Sequence, residues 1–99
     1  LTVKALVDGD VQVADIYTAS PAIQINNLVS LADPKALILP QNIVPIASDA
    51  VDERAAGIIN AVSAKLGMAD LIAMNTRSVN EQLSSSQIAT DWLQEKGLL

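Results

Sequence analysis

The sequence contains no cysteine, no histidine and no phenylalanine, and it has one tryptophan and one tyrosine. Without cysteine there can be no disulfide and no thiolate metal site. The commonest general base and the strongest thiol nucleophile are also missing, and the serines at residues 84–86 read as helix-start residues. Asp8, Asp10 and Asp15 match no calcium-loop spacing. We therefore expect no enzyme, no metal and no cofactor.

Basic residues are also scarce, which bears on the partners the chain can have. Six Lys and Arg residues stand against eleven Asp and Glu residues, giving a net charge of −5. The basic residues are scattered singly, so nucleic acid is not an expected partner. No apolar run reaches the roughly 18 residues that a membrane span needs. What remains is a chain that is 51% hydrophobic and almost wholly aliphatic, which favours a packed domain.

The first half of the chain reads as strands alternating with short helices. A first helix is expected to close at Gly9, and the sequence VQVADIYT predicts a strand over residues 11–18. Ser20-Pro21 is a helix-start pair and predicts a short helix over residues 21–26. Further strands are predicted over residues 28–31 and 43–47, joined by the proline-containing segment 33–42. Strands alternating with helices predict an α/β fold with a partly parallel sheet.

The second half reads as three helices. From Asp52 an apolar stripe at helical spacing runs to Gly67, and a second stripe beginning at Met68 includes Leu71, Ile72 and Asn75. The polar residues 76–86 predict a loop. Ser84 with Gln87 predicts a capping box for a third helix, closed by Gly97. Trp92 falls at helical spacing from Ile88, so we expect it in a core or interface rather than against a ligand.

Tyr17 is the residue whose setting most favours a ligand. It ends a predicted strand, and Thr18 and Ser20 follow immediately. Ligands gather beyond the carboxyl ends of strands in α/β sheets. A helix N-terminus suits an anion, and the face of a tyrosine attracts a quaternary ammonium. The stretch therefore predicts one wall of a binding site, although a tyrosine that merely caps the core has the same pattern.

Four segments in order then resemble a known family. They are GDVQVADIYTASPAI, NNLVSLADPKALILPQNIVPIAS, VDERAAGIINAVSAKLGMADLIAMN and SSQIATDWLQEKGL, and they cover nearly the whole chain. Together they resemble the C-terminal part of ABC-transporter substrate-binding proteins of the glycine betaine, choline and carnitine type. The resemblance lies in the order and spacing of the segments, since no single motif is specific.

The resemblance implies a type II periplasmic-binding-protein fold, of which this chain would be a partial, C-terminal piece. Residues 1–38 would end the second lobe, and residues 39–99 would form the crossover and the last helices of the first lobe. Tyr17 matches the family's aromatic-box tyrosine, and Thr18 matches the residue after it. Ser20 replaces the family's Asp, and Gln41 and Asn42 replace a crossover aromatic, which favours a ligand with hydroxyls or amides.

The function implied is the solute-binding component of an ABC importer, a protein that delivers a small compatible solute to the permease subunits. Such a protein is exported, either periplasmic or a lipoprotein at the outer face of the cell membrane. The alternatives are the ligand-sensing effector domain of a transcription regulator with the same two-lobe fold, or an inactive piece that only folds or forms a homodimer. A signal peptide before Leu1 would favour the first hypothesis, and a helix-turn-helix there the second.

Overall fold

A computed structural model describes all 99 residues, which form five helices and no strand. Helices α1 (Thr2–Asp8) and α2 (Ala22–Ile25) lie in the first half of the chain. Helices α3 (Glu53–Lys65), α4 (Met68–Asn80) and α5 (Ser85–Glu95) follow one another closely in the second half. Between α2 and α3 the chain makes only turns and bends and has no regular secondary structure.

The α/β prediction is therefore wrong, and so is the type II periplasmic-binding-protein architecture that went with it. Residues 11–18, 28–31 and 43–47 do not pair into a sheet with one another or with any other segment. β-Branched residues favour extended backbone, but a strand exists only where a neighbour takes its N–H and C=O groups. Pro45 removes one of those donors. The side chains of this region are left facing solvent, with Ile46 96% exposed.

The helix ends follow the local sequence closely, and the predicted ends at Gly9, Asp52 and Ser84 are confirmed, whereas α3 ends at Lys65, before the predicted Gly67. Gly9 ends α1 with φ of 81°, the left-handed conformation that glycine adopts without a steric cost. The Asp52 side chain accepts a hydrogen bond of 2.8 Å from the Ala55 N–H, so it caps α3. Ser84 caps α5 in the same way, accepting from the Gln87 N–H at 3.2 Å, but the Gln87 side chain donates to Asp91 Oδ1 at 2.7 Å, so the second half of the predicted capping box does not form. Helix α2 begins one residue later than predicted, after Pro21.

Helix α4 is longer than the sequence pattern predicted. The polar residues from 76 onward were expected to be a loop, yet the helix continues to Asn80. The Thr76 hydroxyl donates to the Ile72 carbonyl at 2.8 Å, and Arg77 Nε lies 3.6 Å from Glu81 Oε2. Both contacts span one helical turn and satisfy polar side chains on the helix surface. Polarity in this segment therefore marks a solvated helix face rather than a loop.

The two last helices pack against each other as an antiparallel pair, here called the α4–α5 hairpin (residues 68–95). Ile88 and Trp92 of α5 are its buried core, with 6% and 7% of their surface exposed. The Arg77 guanidinium joins the Asp91 carboxylate at 2.6 Å, and Lys96 Nζ lies 2.7 Å from Asp70 Oδ1. The expected role of Trp92 in a core is confirmed.

The rest of the molecule is more open than this hairpin. Its radius of gyration is 16.9 Å, whereas a compact domain of this length has about 13 Å. No single helix is long and apolar enough to cross a membrane; only α3 and α4 together reach that size, as a pair bent by 87°. Because of this bend, the end of α3 and the start of α4 form a corner, and the chain segments of the first half lie against it.

Candidate ligand-binding site

A cavity of about 780 Å³ lies where three parts of the chain meet. The first part is residues 17–20, here called the tyrosine turn, and the second is the segment around residues 41–45. The third is the corner between α3 and α4. The residues of that corner that line the cavity are mostly aliphatic: Ile59, Val62, Ser63, Leu66, Gly67, Met68, Leu71 and Asn75. This volume is within the range of small-molecule sites.

All five residues predicted for a ligand site line this one cavity: Tyr17, Thr18, Ser20, Gln41 and Asn42. Twenty or more residues separate the two groups in the sequence, so their meeting is a property of the folded chain. That these residues bind a ligand stays a prediction. The side chains of Asp8, Asp10 and Asp15 lie outside the cavity, and no three acidic side chains are gathered closely enough to hold a metal ion.

The tyrosine turn is held by its own backbone. The Ser20 N–H donates to the Tyr17 carbonyl at 2.9 Å, which closes a four-residue turn. The Ser20 hydroxyl accepts a hydrogen bond of 3.3 Å from the Ala22 N–H at the start of α2. Tyr17 is 77% exposed, so its ring is open to a ligand. Helix α2 has only four residues, too few to give the anion-binding N-terminus that the sequence suggested.

Asn75 is a lining residue that the sequence-based site prediction missed. It lies on α4, and its side-chain Nδ2 donates to the Ala19 carbonyl at 2.9 Å. The available signal was its position, because Asn75 falls in the apolar stripe with Leu71 and Ile72. The Asn75 side chain is exposed, and it bonds to the backbone of the tyrosine turn.

The lining contains no Asp, Glu, Lys or Arg side chain. The nearest acidic group along α4 is Asp70, which is already occupied by other partners. The Lys96 ammonium, and after it the Gly67 N–H at 2.9 Å, lower the pKa of Asp70 to about 2. The buried Trp92 N–H makes no hydrogen bond of normal geometry but lowers that pKa further. The cavity therefore offers one aromatic face, hydroxyls, amides and aliphatic surface, without groups for acid–base chemistry.

Comparison with protein families gives a match to the substrate binding domain of ABC-type glycine betaine transport systems, over residues 1–95. The chain belongs to this family. The resemblance seen in the sequence is confirmed, and the match covers nearly every residue of the chain. Comparison with curated proteins and with solved structures gives no significant match.

Membership in the glycine betaine family gives the chain a substrate-binding role in ABC transport, and the family is a solute-binding one rather than a catalytic one. The cavity can be read in that light. Tyr17 is the only aromatic residue in the lining. Gln41 and Asn42 lie in the crossover segment, where the family resemblance implies an aromatic residue.

Proposed function

We propose that the chain binds a small compatible solute, such as glycine betaine, carnitine or choline, in the cavity between the tyrosine turn and α4. The observation that carries this proposal is the gathering of Tyr17, Thr18, Ser20, Gln41 and Asn42 in one lining, in a chain of the glycine betaine family. The bound solute is then delivered to the permease subunits of an ABC importer.

The lining chemistry supports a solute with a quaternary ammonium at one end and a polar group at the other. The exposed face of Tyr17 attracts the ammonium by a cation–π interaction. The Thr18 hydroxyl and the amides of Gln41 and Asn42 provide hydrogen bonds for a carboxylate or hydroxyl. Aliphatic residues of α3 and α4 accommodate methyl and methylene groups.

The absence of charged side chains from the lining bears on which solute is preferred. With no Lys or Arg in the lining, a carboxylate can bond only to hydroxyls and amides such as Thr18, Gln41 and Asn42, and choline has no carboxylate to make these bonds. Glycine betaine and carnitine are zwitterions with no net charge, whereas choline is a cation. We therefore propose that the site prefers the two zwitterions to choline.

The same proposal places the protein outside the cytoplasm, periplasmic or anchored by a lipid at the outer face of the membrane. There it would meet both the solute and the permease.

A second copy of the chain is a further partner to test, because an exposed aliphatic segment is formed by Leu37, Ile38, Leu39, Ile43 and Ile46. Light scattering at increasing protein concentration measures whether this surface forms a homodimer.

The test of the binding function is calorimetric titration with glycine betaine, carnitine, choline and a polyol. We expect heat of binding for the zwitterions and weaker binding for choline. Tyr17→Ala should weaken binding by about 1 kcal/mol, or roughly fivefold, and Tyr17→Phe should bind nearly as well as the native protein.

The matched control is Val79→Ala, because Val79 is exposed on α4 and lies outside the cavity. It should leave the affinity unchanged. Flat traces with all three ammonium compounds would rule out the proposed solute class, and binding that Tyr17→Ala does not weaken would move the site elsewhere.

A further inference from the structure

One hydrogen bond joins the two halves of this molecule. The Asn75 side chain donates to the Ala19 carbonyl across 56 positions of sequence, at 2.9 Å. No other hydrogen bond and no ion pair connects residues 1–51 with residues 52–99. This bond is therefore the one directional contact between the halves, because apolar contact has little directional preference.

Both ends of this hydrogen bond belong to the candidate site. Asn75 lines the cavity from α4, and Ala19 lines it from the tyrosine turn, two residues after Tyr17. The carbonyl that accepts the bond lies inside the turn closed between Tyr17 and Ser20. A change in the position of this carbonyl therefore changes the position of the whole turn, including the tyrosine ring.

The α4 side of the bond is the better fixed of the two. Helix α4 is tied to α5 by the ion pairs of Arg77 with Asp91 and of Asp70 with Lys96. The tyrosine turn takes part in no ion pair, and α2 beside it is a single turn of helix. The hydrogen bond from Asn75 thus holds the tyrosine turn in a fixed position relative to the α4–α5 hairpin.

We propose that Asn75 is a positioning residue of the solute site: its side-chain N–H holds the tyrosine turn against α4 and sets the distance between the two walls of the cavity. It acts through the turn and need not touch the solute. This inference rests on the proposed function for its effect on affinity, but its effect on the turn is independent of any ligand.

The test compares Asn75→Asp with Asn60→Asp. Aspartate has the shape of asparagine but no N–H to donate, and its charge repels the Ala19 carbonyl. Asn60 lies exposed on α3 and outside the cavity, so its variant makes the same change of net charge without breaking the bond, and Asn75→Leu removes the donor without placing a charge in the lining. Asn75→Gln retains the amide donor on a longer side chain and should recover part of the native behaviour.

Two measurements separate the positioning role from the binding function. In ligand-free protein, the backbone amide NMR signals of Ala19 and Ser20 should shift in Asn75→Asp and not in Asn60→Asp. With glycine betaine, Asn75→Asp should weaken binding by about three- to tenfold, the scale of one hydrogen bond. In a Tyr17→Ala background the same substitution should have little further effect, because the ring it positions is absent.

The possible outcomes distinguish the two proposals. If the NMR signals shift but no solute binds to the native protein, the positioning role stands and the solute proposal fails. If the native protein binds and Asn75→Asp changes neither the signals nor the affinity beyond Asn60→Asp, the positioning role is refuted. An affinity loss that is fully additive with Tyr17→Ala would also overturn it, because that result indicates an effect separate from the tyrosine turn.

Discussion

The α4–α5 hairpin should carry most of the stability of this chain, and Ile88→Ala tests that expectation. Ile88 is 6% exposed and lies one helical turn before Trp92, the other buried residue. The substitution deletes three carbon atoms. At about 0.8 kcal/mol for each buried carbon group, the loss of burial alone destabilises by roughly 2 kcal/mol. The space left behind raises the cost to about 3 kcal/mol.

The control for this prediction is Ile58→Ala, the same substitution on a helix of similar length. Ile58 lies on α3 and is 61% exposed, so its truncation should cost no more than about 0.5 kcal/mol. Urea unfolding followed by the fluorescence of Trp92, the single tryptophan, measures both variants. With a slope of about 1 kcal/mol per molar urea, Ile88→Ala should lower the midpoint by 2 M or more, or abolish the folded baseline.

The reasoning would be refuted if the two variants lost the same stability. Equal losses would mean that α3 is buried as deeply as α5 in solution, and that the hairpin is not the main core. Comparing far-UV circular dichroism with fluorescence in the same titration adds a check. A helix signal that persists after the fluorescence change would show that α1 to α3 unfold separately from the hairpin.

Two further predictions concern the ends of the hairpin and the glycines. The pKa of Asp70, lowered to about 2 chiefly by Lys96, makes its carboxylate stabilising above its unfolded pKa near 3.8, and this contribution is lost as pH falls toward 2. Asp70→Asn should therefore flatten the acid unfolding curve between about pH 4 and 2, and superimposable curves would contradict this. Gly97→Ala should destabilise by about 1 kcal/mol because φ is 66°, whereas Gly57→Ala in the α3 interior should stabilise by about 0.5–1 kcal/mol. Thermal unfolding of the two variants should shift in opposite directions, and shifts of the same sign would argue against the backbone explanation.

The helix ends could be predicted from the sequence because their determinants are local. Asp52 and Ser84 cap their helices with side chains that reach only three residues along the chain. Gly9 adopts the left-handed conformation that closes α1 whatever its distant neighbours are. Each of these helix ends is determined by residues within one turn of the chain, so the local sequence is enough to predict it.

The strands could not be predicted in the same way, because pairing depends on a partner rather than on propensity. Residues 43–47 are rich in β-branched side chains, yet they have no neighbouring strand in this structure. Helix α4 was missed for a different reason, because the polar residues 76–80 were taken for a loop although they form an exposed helix face with contacts inside one turn. The division of the chain after residue 38 stays a prediction.

The sequence predicted five residues that line the candidate site, but it did not predict the wall that α3 and α4 form. Tyr17 and Thr18 follow from their place before a helix start, and Gln41 and Asn42 from the comparison with the family. Asn75 required the fold, because its partner is a backbone carbonyl 56 positions away. The place of Asn75 in the apolar stripe of α4 was visible in the sequence, but the carbonyl to which it bonds was not.

Because the lining has no ionic side chains, its affinity for a solute should depend little on salt concentration. Attraction between exposed charges is largely screened beyond about 10 Å at 0.1 M salt and beyond about 3 Å at 1 M, so a site that relies on ion pairs weakens as electrolyte rises. Cation–π contact at close range, amide hydrogen bonds and aliphatic contact depend far less on ionic strength. A solute receptor built on this lining would keep its affinity in concentrated brine, the condition under which a cell most needs to import a compatible solute.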